Sequence, residues 1–391
     1  MKRNILVAHG GGPTAVMNCS LLGVIEGARS AGNAGRLYAA RFGAEGILSD
    51  DLIDLTSLSE EKARLLAHTP ASAIGSCRRK LSEADYPAVL DCLKRHDISC
   101  LLYNGGNDSM DTCDKLAKLA ERSGMDLAVM GIPKTIDNDL EGTDHSPGYG
   151  SAARFAALCA AQIGADASAL PIHIVVMEVM GRNAGWLTAA AAFGAQISGC
   201  EMMTLLPEQP LDTARFLLEA ERRFKKGGGL LVAVSEGVCG LDGKPIADSG
   251  IVDGFGHTVP GGAAQSLSDQ IMRELGIRSR SEKPGLLGRA EMAHVSEIDR
   301  KEAYDVGYAA VQAAIKGHTG KMIAIEADRT NGYTYRLFET PLSQVANREK
   351  KFPTEWIEDY GVGDAFFAYG RPLLGGALPQ YAQIRSFGRT V

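Results

Sequence analysis

Short apolar runs alternate with longer amphipathic stretches along most of this chain. The apolar runs are rich in Leu, Ile and Val and several end at glycine, which is typical of buried strands in parallel sheets. The predicted strands are residues 4–9, 100–103, 127–132, 173–180, 230–235 and 322–326. Helix-length stretches lie between them, for example residues 109–123, which Gly124 would terminate. The alternation predicts an α/β fold with doubly wound, mostly parallel sheets.

Composition indicates a globular protein of more than one domain. The chain has 391 residues, of which 45% are hydrophobic and 23% charged, and its net charge is −6. At ~150 residues per domain this length predicts roughly two to three domains. The segment SPGYG, residues 146–150, interrupts the pattern and is the predicted border. The basic and polar stretch at residues 348–351 is expected on the surface.

Several classes of function are disfavoured by the sequence. No apolar run reaches the ~18 residues that a bilayer span needs, so no membrane association is expected. The first residues, MKRNILVAHG, lack a signal-peptide apolar region, which favours a cytoplasmic protein. Eight cysteines include no C-x-x-C pair, so neither a zinc motif nor a disulfide framework is expected. The negative charge argues against nucleic acid as a partner but leaves phosphorylated small molecules open.

Four glycine-containing or charged loops follow predicted strands. They are HGGGPTAVMN at residues 9–18, YNGGNDSMDT at 103–112, GIPKTIDNDL at 131–140 and VVMEVMGRNAGW at 175–186. Glycines allow a backbone to approach phosphate closely, and the amides at a helix N-terminus favour an anion. The glycine loops alone could simply be tight turns, with Ser109 as a helix N-cap and Asp108 as a first-turn charge.

The third loop carries residues suited to phosphoryl transfer. Carboxyl ends of parallel strands line the ligand crevice in open α/β sheets, so this loop is expected to face the first two. Asp137 would accept a proton from an attacking hydroxyl, and Lys134 would neutralise charge on the transferred group. Asp139, with Asn107 or Asp108, would bind Mg²⁺.

Five motifs together resemble the phosphofructokinase superfamily: GGGPTAVMN, GGNDS, PKTIDND, MGRNAGW and SEG at residues 235–237. They span roughly residues 9 to 300 in the order found in that family. The resemblance implies two similar Rossmann-like domains with the active site in the cleft between them. It implies a phosphoryl-donor domain of residues 1–148 plus about 290–345, and a sugar-phosphate domain of residues 149–289 plus about 346–391. A homodimer or homotetramer is also implied.

The resemblance also assigns residues to roles, with transfer of phosphate to the 1-hydroxyl of fructose 6-phosphate as the implied reaction. The implied catalytic residues are Asp137, Lys134, Thr135 and Asp108. The implied donor-binding residues are Gly11, Gly12, Arg78, Gly106 and Ser109. The implied sugar-phosphate-binding residues are Thr135, Ile136, Asp137, Met180, Gly181, Arg182, Glu236, Arg280, Leu286 and Arg289. The implied Mg²⁺ ligands are Asn107, Asp108 and Asp139.

Two of these positions indicate the phosphoryl donor. Members of the family that use ATP carry glycine where Asp108 and Lys134 stand, whereas members that use inorganic pyrophosphate resemble this chain at both. A carboxylate at Asp108 would repel the α-phosphate of a nucleotide. Lys134 would supply a cation to the shorter donor. Pyrophosphate is therefore the predicted donor.

Departures from the family pattern leave alternatives open. An ATP-dependent enzyme is one, and a pyrophosphate-dependent kinase of a longer sugar phosphate such as sedoheptulose 7-phosphate is another, since Leu286 replaces a polar or aromatic residue. Asn107 and Leu286 would also suit a binding-only subunit. His173 stands where some members place an arginine that reaches a neighbouring subunit. A nicotinamide dehydrogenase is disfavoured because G-x-G-x-x-G is missing.

Overall fold

The computed structural model describes residues 2–227, 229–252, 258–382 and 384. The chain forms two compact units. Unit 1 comprises Met1–Ser151 and Arg289–Lys350, and unit 2 comprises Ala152–Gly288 and Lys351–Val391.

The strands, in chain order, are β1 Arg3–His9, β2 Ala34–Ala40, β3 Leu52–Asp54, β4 Ile98–Gly105, β5 Ala128–Pro133, β6 His173–Val179, β7 Glu201–Leu205, β8 Leu230–Ser235, β9 Asp248–Val252, β10 Thr258–Pro260, β11 Arg278–Glu282, β12 Lys321–Asp328, β13 Thr334–Pro341, β14 Ile357–Glu358 and β15 Gly361–Val362. The helices are α1 Met17–Ser30, α2 Ala44–Leu48, α3 Glu60–Leu65, α4 Tyr86–Arg95, α5 Asn107–Arg122, α6 Tyr149–Ala169, α7 Trp186–Ala190, α8 Ala192–Ser198, α9 Thr213–Gly227, α10 Ala263–Leu275, α11 Leu287–Ala290, α12 Glu297–Ile315 and α13 Asp364–Leu373.

Unit 1 is built on a seven-stranded sheet in the order β13-β12-β5-β4-β1-β2-β3. The five central strands run parallel, and only the edge strands β13 and β3 pair antiparallel. Alternate residues of β1 enter different cores: Leu6 packs with α4 and α5, while Ile5 packs with α1 and α12. Both faces of the sheet are therefore covered, which explains the continuous apolar runs of its central strands.

Helices α1 and α12 pack closely because glycines face the partner backbone. A Cβ built on Gly23 would lie 2.1 Å from the carbonyl oxygen of Tyr304, and one built on Gly307 would lie 2.1 Å from that of Ser20. Any larger residue at either position would force the helices apart.

Unit 2 contains a four-stranded parallel sheet in the order β11-β6-β8-β7. Apolar residues of β6 and β8 pack against Phe216 of α9 and Leu267 of α10. Strand β11 forms one edge, and its sequence RSRSE exposes both arginines, as is common for edge strands.

The structure confirms the α/β prediction with mainly parallel sheets. It also confirms all six predicted strands and the C-terminal cap at Gly124, whose φ is +66°. The interpretation of Ser109 as an N-cap is wrong, because α5 already begins at Asn107 after Gly106. The expectation that residues 348–351 all lie on the surface fails at Lys350, whose Nζ donates to the carbonyl oxygen of Asp144 at 2.5 Å.

Among the residues that the structure describes, no helix is long and apolar enough to cross a membrane.

Candidate active site

The loop after β1 presents bare backbone at the carboxyl edge of the unit 1 sheet. Gly11 adopts a φ of +76°, and its N–H donates to the Cys77 carbonyl oxygen at 2.8 Å. A Cβ built on Gly10 would lie 2.3 Å from Oγ of Ser109, so a side chain there would displace the start of α5. Glycine is therefore needed at position 10 because the buried Ser109 side chain packs directly against it, and not only because the chain turns there.

Lys134 reaches this glycine loop from the end of β5. Its side chain is buried, and Nζ donates to the carbonyl oxygen of Gly12 at 2.6 Å. Burial lowers the pKa of Lys134 to about 8, with Asp137 and Asp139 acting in the opposite direction. The ammonium group is thus largely desolvated, and an anion placed beside it would interact strongly.

Two arginines surround the same loop. A Cβ built on Gly12 would lie 2.8 Å from Nη1 of Arg289 and 3.3 Å from Nη2 of Arg78. Both belong to unit 1, as does Lys134. The three cations converge on Gly11 and Gly12, and this arrangement suits a polyanionic phosphate group. The resemblance implies that Arg289 binds the sugar phosphate, and in the structure its guanidinium lies beside Gly12.

The backbone around Asp137 is fixed by neighbouring polar contacts. Its N–H donates to Oγ1 of Thr135 at 3.0 Å, and the N–H of Thr135 donates to the Pro147 carbonyl oxygen at 3.2 Å. Buried Asn138 adopts a φ of +54°, and its Oδ1 accepts from Ser146 N–H at 3.1 Å. Asp137 itself and Ile136 are half-buried, so the carboxylate belongs to a loop of defined geometry that retains access to solvent.

Asn107 and Asp139 form a pair with spare oxygen atoms. Nδ2 of Asn107 donates to Oδ2 of Asp139 at 3.4 Å. Among the described residues, Oδ1 of each side chain is buried and finds no hydrogen-bond partner. Burial raises the pKa of Asp139. Two unpaired buried oxygens, one of them from a carboxylate, fit a hard divalent cation such as Mg²⁺.

Asp108 differs from this pair. It occupies the first turn of α5 with its side chain 80% exposed, and the nearest cation is Nζ of Lys80 at 3.8 Å. Its carboxylate is therefore available to solvent and to ligands. Unlike Oδ1 of Asn107 and of Asp139, it is not a buried oxygen that lacks a hydrogen-bond partner.

In unit 2, the turn after β6 brings together part of the predicted sugar-phosphate set. Gly181 has a φ of +124°, and its N–H donates to Oε1 of Glu236 at 3.4 Å. Oγ of Ser235 donates to the Gly181 carbonyl oxygen at 2.5 Å. Burial raises the pKa of Glu236. Arg182 is exposed and interacts electrostatically with Glu236, so this turn combines a carboxylate with a guanidinium and suits a phosphorylated polyol.

One ionic pair in unit 2 was not predicted. Glu178 is buried in β6, and its Oε1 lies 2.5 Å from Nζ of Lys283. Together with Met180 and Phe155 it lines a small cavity of about 30 Å³. A glutamate inside the apolar run VVMEVM was the available signal, because a charge in a buried strand needs a partner.

Three other expected positions lie apart from these contacts. Arg280 is exposed on β11, and Leu286 is 64% exposed in the segment that follows it. His173 is buried at the start of β6, where its Nε2 lies 4.0 Å from Oδ2 of Asp166.

A buried charge cluster supports the segment that follows the Asp137 loop. His145 lies between Asp144 and Glu302, with Nδ1–Oδ1 and Nε2–Oε2 distances of 2.8 and 2.6 Å. Burial alone would lower the pKa of His145, but Glu302 and Asp144 outweigh it and raise this pKa to about 9. The imidazolium therefore stabilises the fold fully below its unfolded pKa of ~6.5, and this contribution is lost as the pH rises through about 9.

We expect His145→Gln to lower the free energy of unfolding by about 3–5 kcal/mol below pH ~6.5, because it removes the imidazolium from a buried ionic cluster and leaves its partners in place. The deficit should shrink at alkaline pH. Both tryptophans lie in unit 2, so urea unfolding should be followed by circular dichroism rather than by fluorescence.

Lys321→Gln is the control, since it breaks only the half-exposed ion pair with Glu339 and should cost less than ~1 kcal/mol. Equal deficits in the two variants, or a His145→Gln deficit that is independent of pH, would contradict the assignment of a buried imidazolium.

The chain resembles known proteins along most of its length. The family model described as Phosphofructokinase matches residues 4–314. The chain is 40% identical over 393 residues to the pyrophosphate–fructose 6-phosphate 1-phosphotransferase of Methylococcus capsulatus, with 97% of this chain and 94% of that protein covered. Its counterpart of the same name from Halomonas elongata is 38% identical, with 96% and 92% covered. The crystal structure of the pyrophosphate-dependent phosphofructokinase from Nitrosospira multiformis superimposes with a TM-score of 0.88 at 37% identity, covering 97% of this chain and 94% of that one.

Proposed function

We propose, since this chain belongs to the phosphofructokinase family, that it transfers a phosphoryl group from pyrophosphate to the 1-hydroxyl of fructose 6-phosphate. The products are fructose 1,6-bisphosphate and phosphate. The relatives' names support this reaction. The observation that carries the proposal is the desolvated Lys134 ammonium held against Gly12 between two arginines. Such a pocket binds a compact polyanion without contacts to a nucleoside.

The donor is bound by unit 1. Gly11, Gly12 and Gly106 offer backbone, and Arg78, Arg289 and Lys134 offer charge. Ser109 supports the loop from below, because its Oγ occupies the space next to Gly10 and Gly105. The exposed Asp108 carboxylate discourages a longer nucleotide donor by like-charge repulsion with its α-phosphate.

Asn107 and Asp139 would hold Mg²⁺ through their unpaired Oδ1 atoms, and Asp108 lies on the same helix turn. When bound, the ion neutralises charge on the donor phosphates. The protein supplies for it the amide of Asn107 and the carboxylate of half-buried Asp139.

Asp137 acts as the base. Its carboxylate takes the proton of the sugar 1-hydroxyl while the oxygen attacks the terminal phosphorus of pyrophosphate. The bond from that phosphorus to the bridging oxygen breaks, and phosphate leaves. Oγ1 of Thr135 accepts the hydrogen bond from the Asp137 N–H and so fixes the backbone there. Ile136 lies between these two residues in the chain. Lys134 stabilises the charge on the transferred group.

The sugar phosphate is bound by residues of unit 2: Met180, Gly181, Arg182, Glu236, Arg280 and Leu286. In this set Glu236 accepts hydrogen bonds from sugar hydroxyls, and the arginines bind the phosphate as planar donors. The protein works as a homodimer or homotetramer in the cytoplasm.

The test is a set of initial rates with fructose 6-phosphate and Mg²⁺, comparing pyrophosphate directly with ATP. We expect turnover with pyrophosphate, none with ATP, and none after Mg²⁺ is removed by a chelator. Sedoheptulose 7-phosphate is included as a second acceptor, because exposed Leu286 offers no hydrogen bond to the sugar. Turnover with ATP alone would keep the base and fold but overturn the donor assignment.

A further inference from the structure

Asp50, Cys92 and His96 meet on the surface of unit 1, outside the residues proposed for phosphoryl transfer. Asp50 follows α2, Cys92 lies in the last turn of α4, and His96 is the residue after that helix. One oxygen, one sulfur and one ring nitrogen from these side chains lie within 4.8 Å of one another.

Two hydrogen-bond donors point at the same carboxylate oxygen. Nε2 of His96 lies 2.6 Å from Oδ1 of Asp50, and Sγ of Cys92 donates to that atom at 3.5 Å. Arg95 approaches the other oxygen, Oδ2, at 3.5 Å. The imidazole and the thiol therefore meet at Oδ1 of Asp50, whereas Arg95 contacts only Oδ2.

The position of the cluster is fixed, yet it remains open to solvent. The carbonyl oxygen of His96 accepts from Nδ2 of Asn4 at 3.1 Å, which anchors the residue to β1. Cys92 is fully buried, whereas the side chains of His96 and Asp50 are 30% and 36% exposed. A small ion can thus enter from the side of the carboxylate and reach the buried sulfur.

We propose that Asp50, Cys92 and His96 bind a divalent transition-metal ion of borderline softness, with Zn²⁺ as the first candidate. Thiolate and imidazole ligands select Zn²⁺ over Mg²⁺, which prefers oxygen. On binding, the thiol loses its proton and the imidazole keeps its proton on Nδ1. Water completes the four ligands. The site is separate from the all-oxygen pair at Asn107 and Asp139, and it does not depend on the reaction proposed above.

The ion would join two helices that are already linked at another point. Arg79 contacts Glu45 of α2 at 3.1 Å and Asp85, which precedes α4, at 3.0 Å. Arg79 directly follows Arg78 of the donor pocket. Metal binding therefore stabilises unit 1 next to the segment that carries Arg78, because an ion that binds only the folded state favours that state.

The test uses the full chain freed of metal by a chelator and titrated with Co²⁺, then with Zn²⁺. We expect one equivalent of Co²⁺ to give a sulfur-to-cobalt charge-transfer band that Zn²⁺ abolishes. Zn²⁺ should also raise Tm. His96→Gln and Cys92→Ser are expected to weaken Zn²⁺ binding by more than ~100-fold, since loss of even an indirect partner of a metal ligand costs 10–100-fold.

His318→Gln is the matched control. His318 forms a similar imidazole–carboxylate pair, with Nδ1 2.6 Å from Oε1 of Glu339, and is 44% exposed. It should retain the cobalt band and the Tm rise. If Cys92→Ser fails to fold, His96→Gln carries the test. The proposal is overturned if the wild-type chain gives no cobalt band, or if His96→Gln binds Zn²⁺ as tightly as His318→Gln does.

Discussion

Replacing Asp137 with serine should reduce kcat with pyrophosphate by about 10²–10⁴-fold, the usual cost of losing a positioned general base. Serine removes the carboxylate but leaves the backbone hydrogen bond from residue 137 to Oγ1 of Thr135. Lys134 keeps its hydrogen bond to the Gly12 carbonyl oxygen in this variant. KM for fructose 6-phosphate and for pyrophosphate should therefore change only a few-fold, and the loss should fall on the chemical step.

Steady-state kinetics in both directions and calorimetric binding of fructose 6-phosphate separate these effects. Asp137→Asn is a second variant of unchanged shape, and Glu61→Ser, which removes an exposed carboxylate, is the control. A kcat within tenfold of wild type in a correctly folded Asp137→Ser protein would mean that another group accepts the proton. Loss of sugar binding with an unchanged kcat would make Asp137 a binding residue instead.

The sequence was sufficient to predict β1, β4, β5 and β12 of the unit 1 sheet, but it missed β2, whose sequence AGRLYAA is only partly apolar. Those predicted strands are buried on both faces of the sheet, so each is a nearly continuous apolar run that can be recognised in the sequence. The loop with Lys134 and Asp137 follows such a strand directly, and the carboxyl edge of a parallel sheet gathers loops from distant parts of the chain. The contact between Lys134 and Gly12 is one result of this rule.

Partners chosen by tertiary packing could not be predicted. Lys350 looked like a surface residue in a basic stretch, yet its ammonium group reaches the carbonyl oxygen of Asp144, and burial lowers its pKa to about 8. The position of Arg289 beside Gly12 likewise depends on how residues 289–350 return to the first sheet. Asp50 is 42 residues from Cys92, and no spacing rule for cysteine and histidine links them.

Edge elements were missed for a related reason. Strand β13 alternates exposed residues with half-buried or buried ones and includes arginine and glutamate, so its hydrophobic signal is weak. Strand β11 has the sequence RSRSE and contains no apolar side chain. It is a strand because its backbone pairs with β6. Such edge strands form because the adjacent strand of the sheet provides hydrogen-bond partners, and this pairing cannot be recognised from the sequence of the edge strand itself.

The buried lysine gives the second large effect. We expect Lys134→Met to lower kcat/KM with pyrophosphate by about 10²–10³-fold, the typical cost of removing one preorganised electrostatic contact to developing charge. Methionine fills similar volume but leaves the Gly12 carbonyl oxygen without the hydrogen bond from Nζ, so circular dichroism must show that the variant is folded before rates are compared. Lys134→Arg keeps the charge and should recover part of the rate.

The pH profile identifies the ammonium group as the cause of this loss. Burial lowers the pKa of Lys134 to about 8 in the free protein, so the cation is present below that pH and is lost above it. The kcat/KM of the wild-type enzyme should therefore fall as the pH rises through about 8, since this ratio reports ionisations of the free enzyme and free substrate. Pyrophosphate ionises identically in assays of either protein, so the ratio of wild-type to Lys134→Met kcat/KM isolates the lysine. A ratio that stays constant across this range would show that Lys134 acts through packing rather than through its charge.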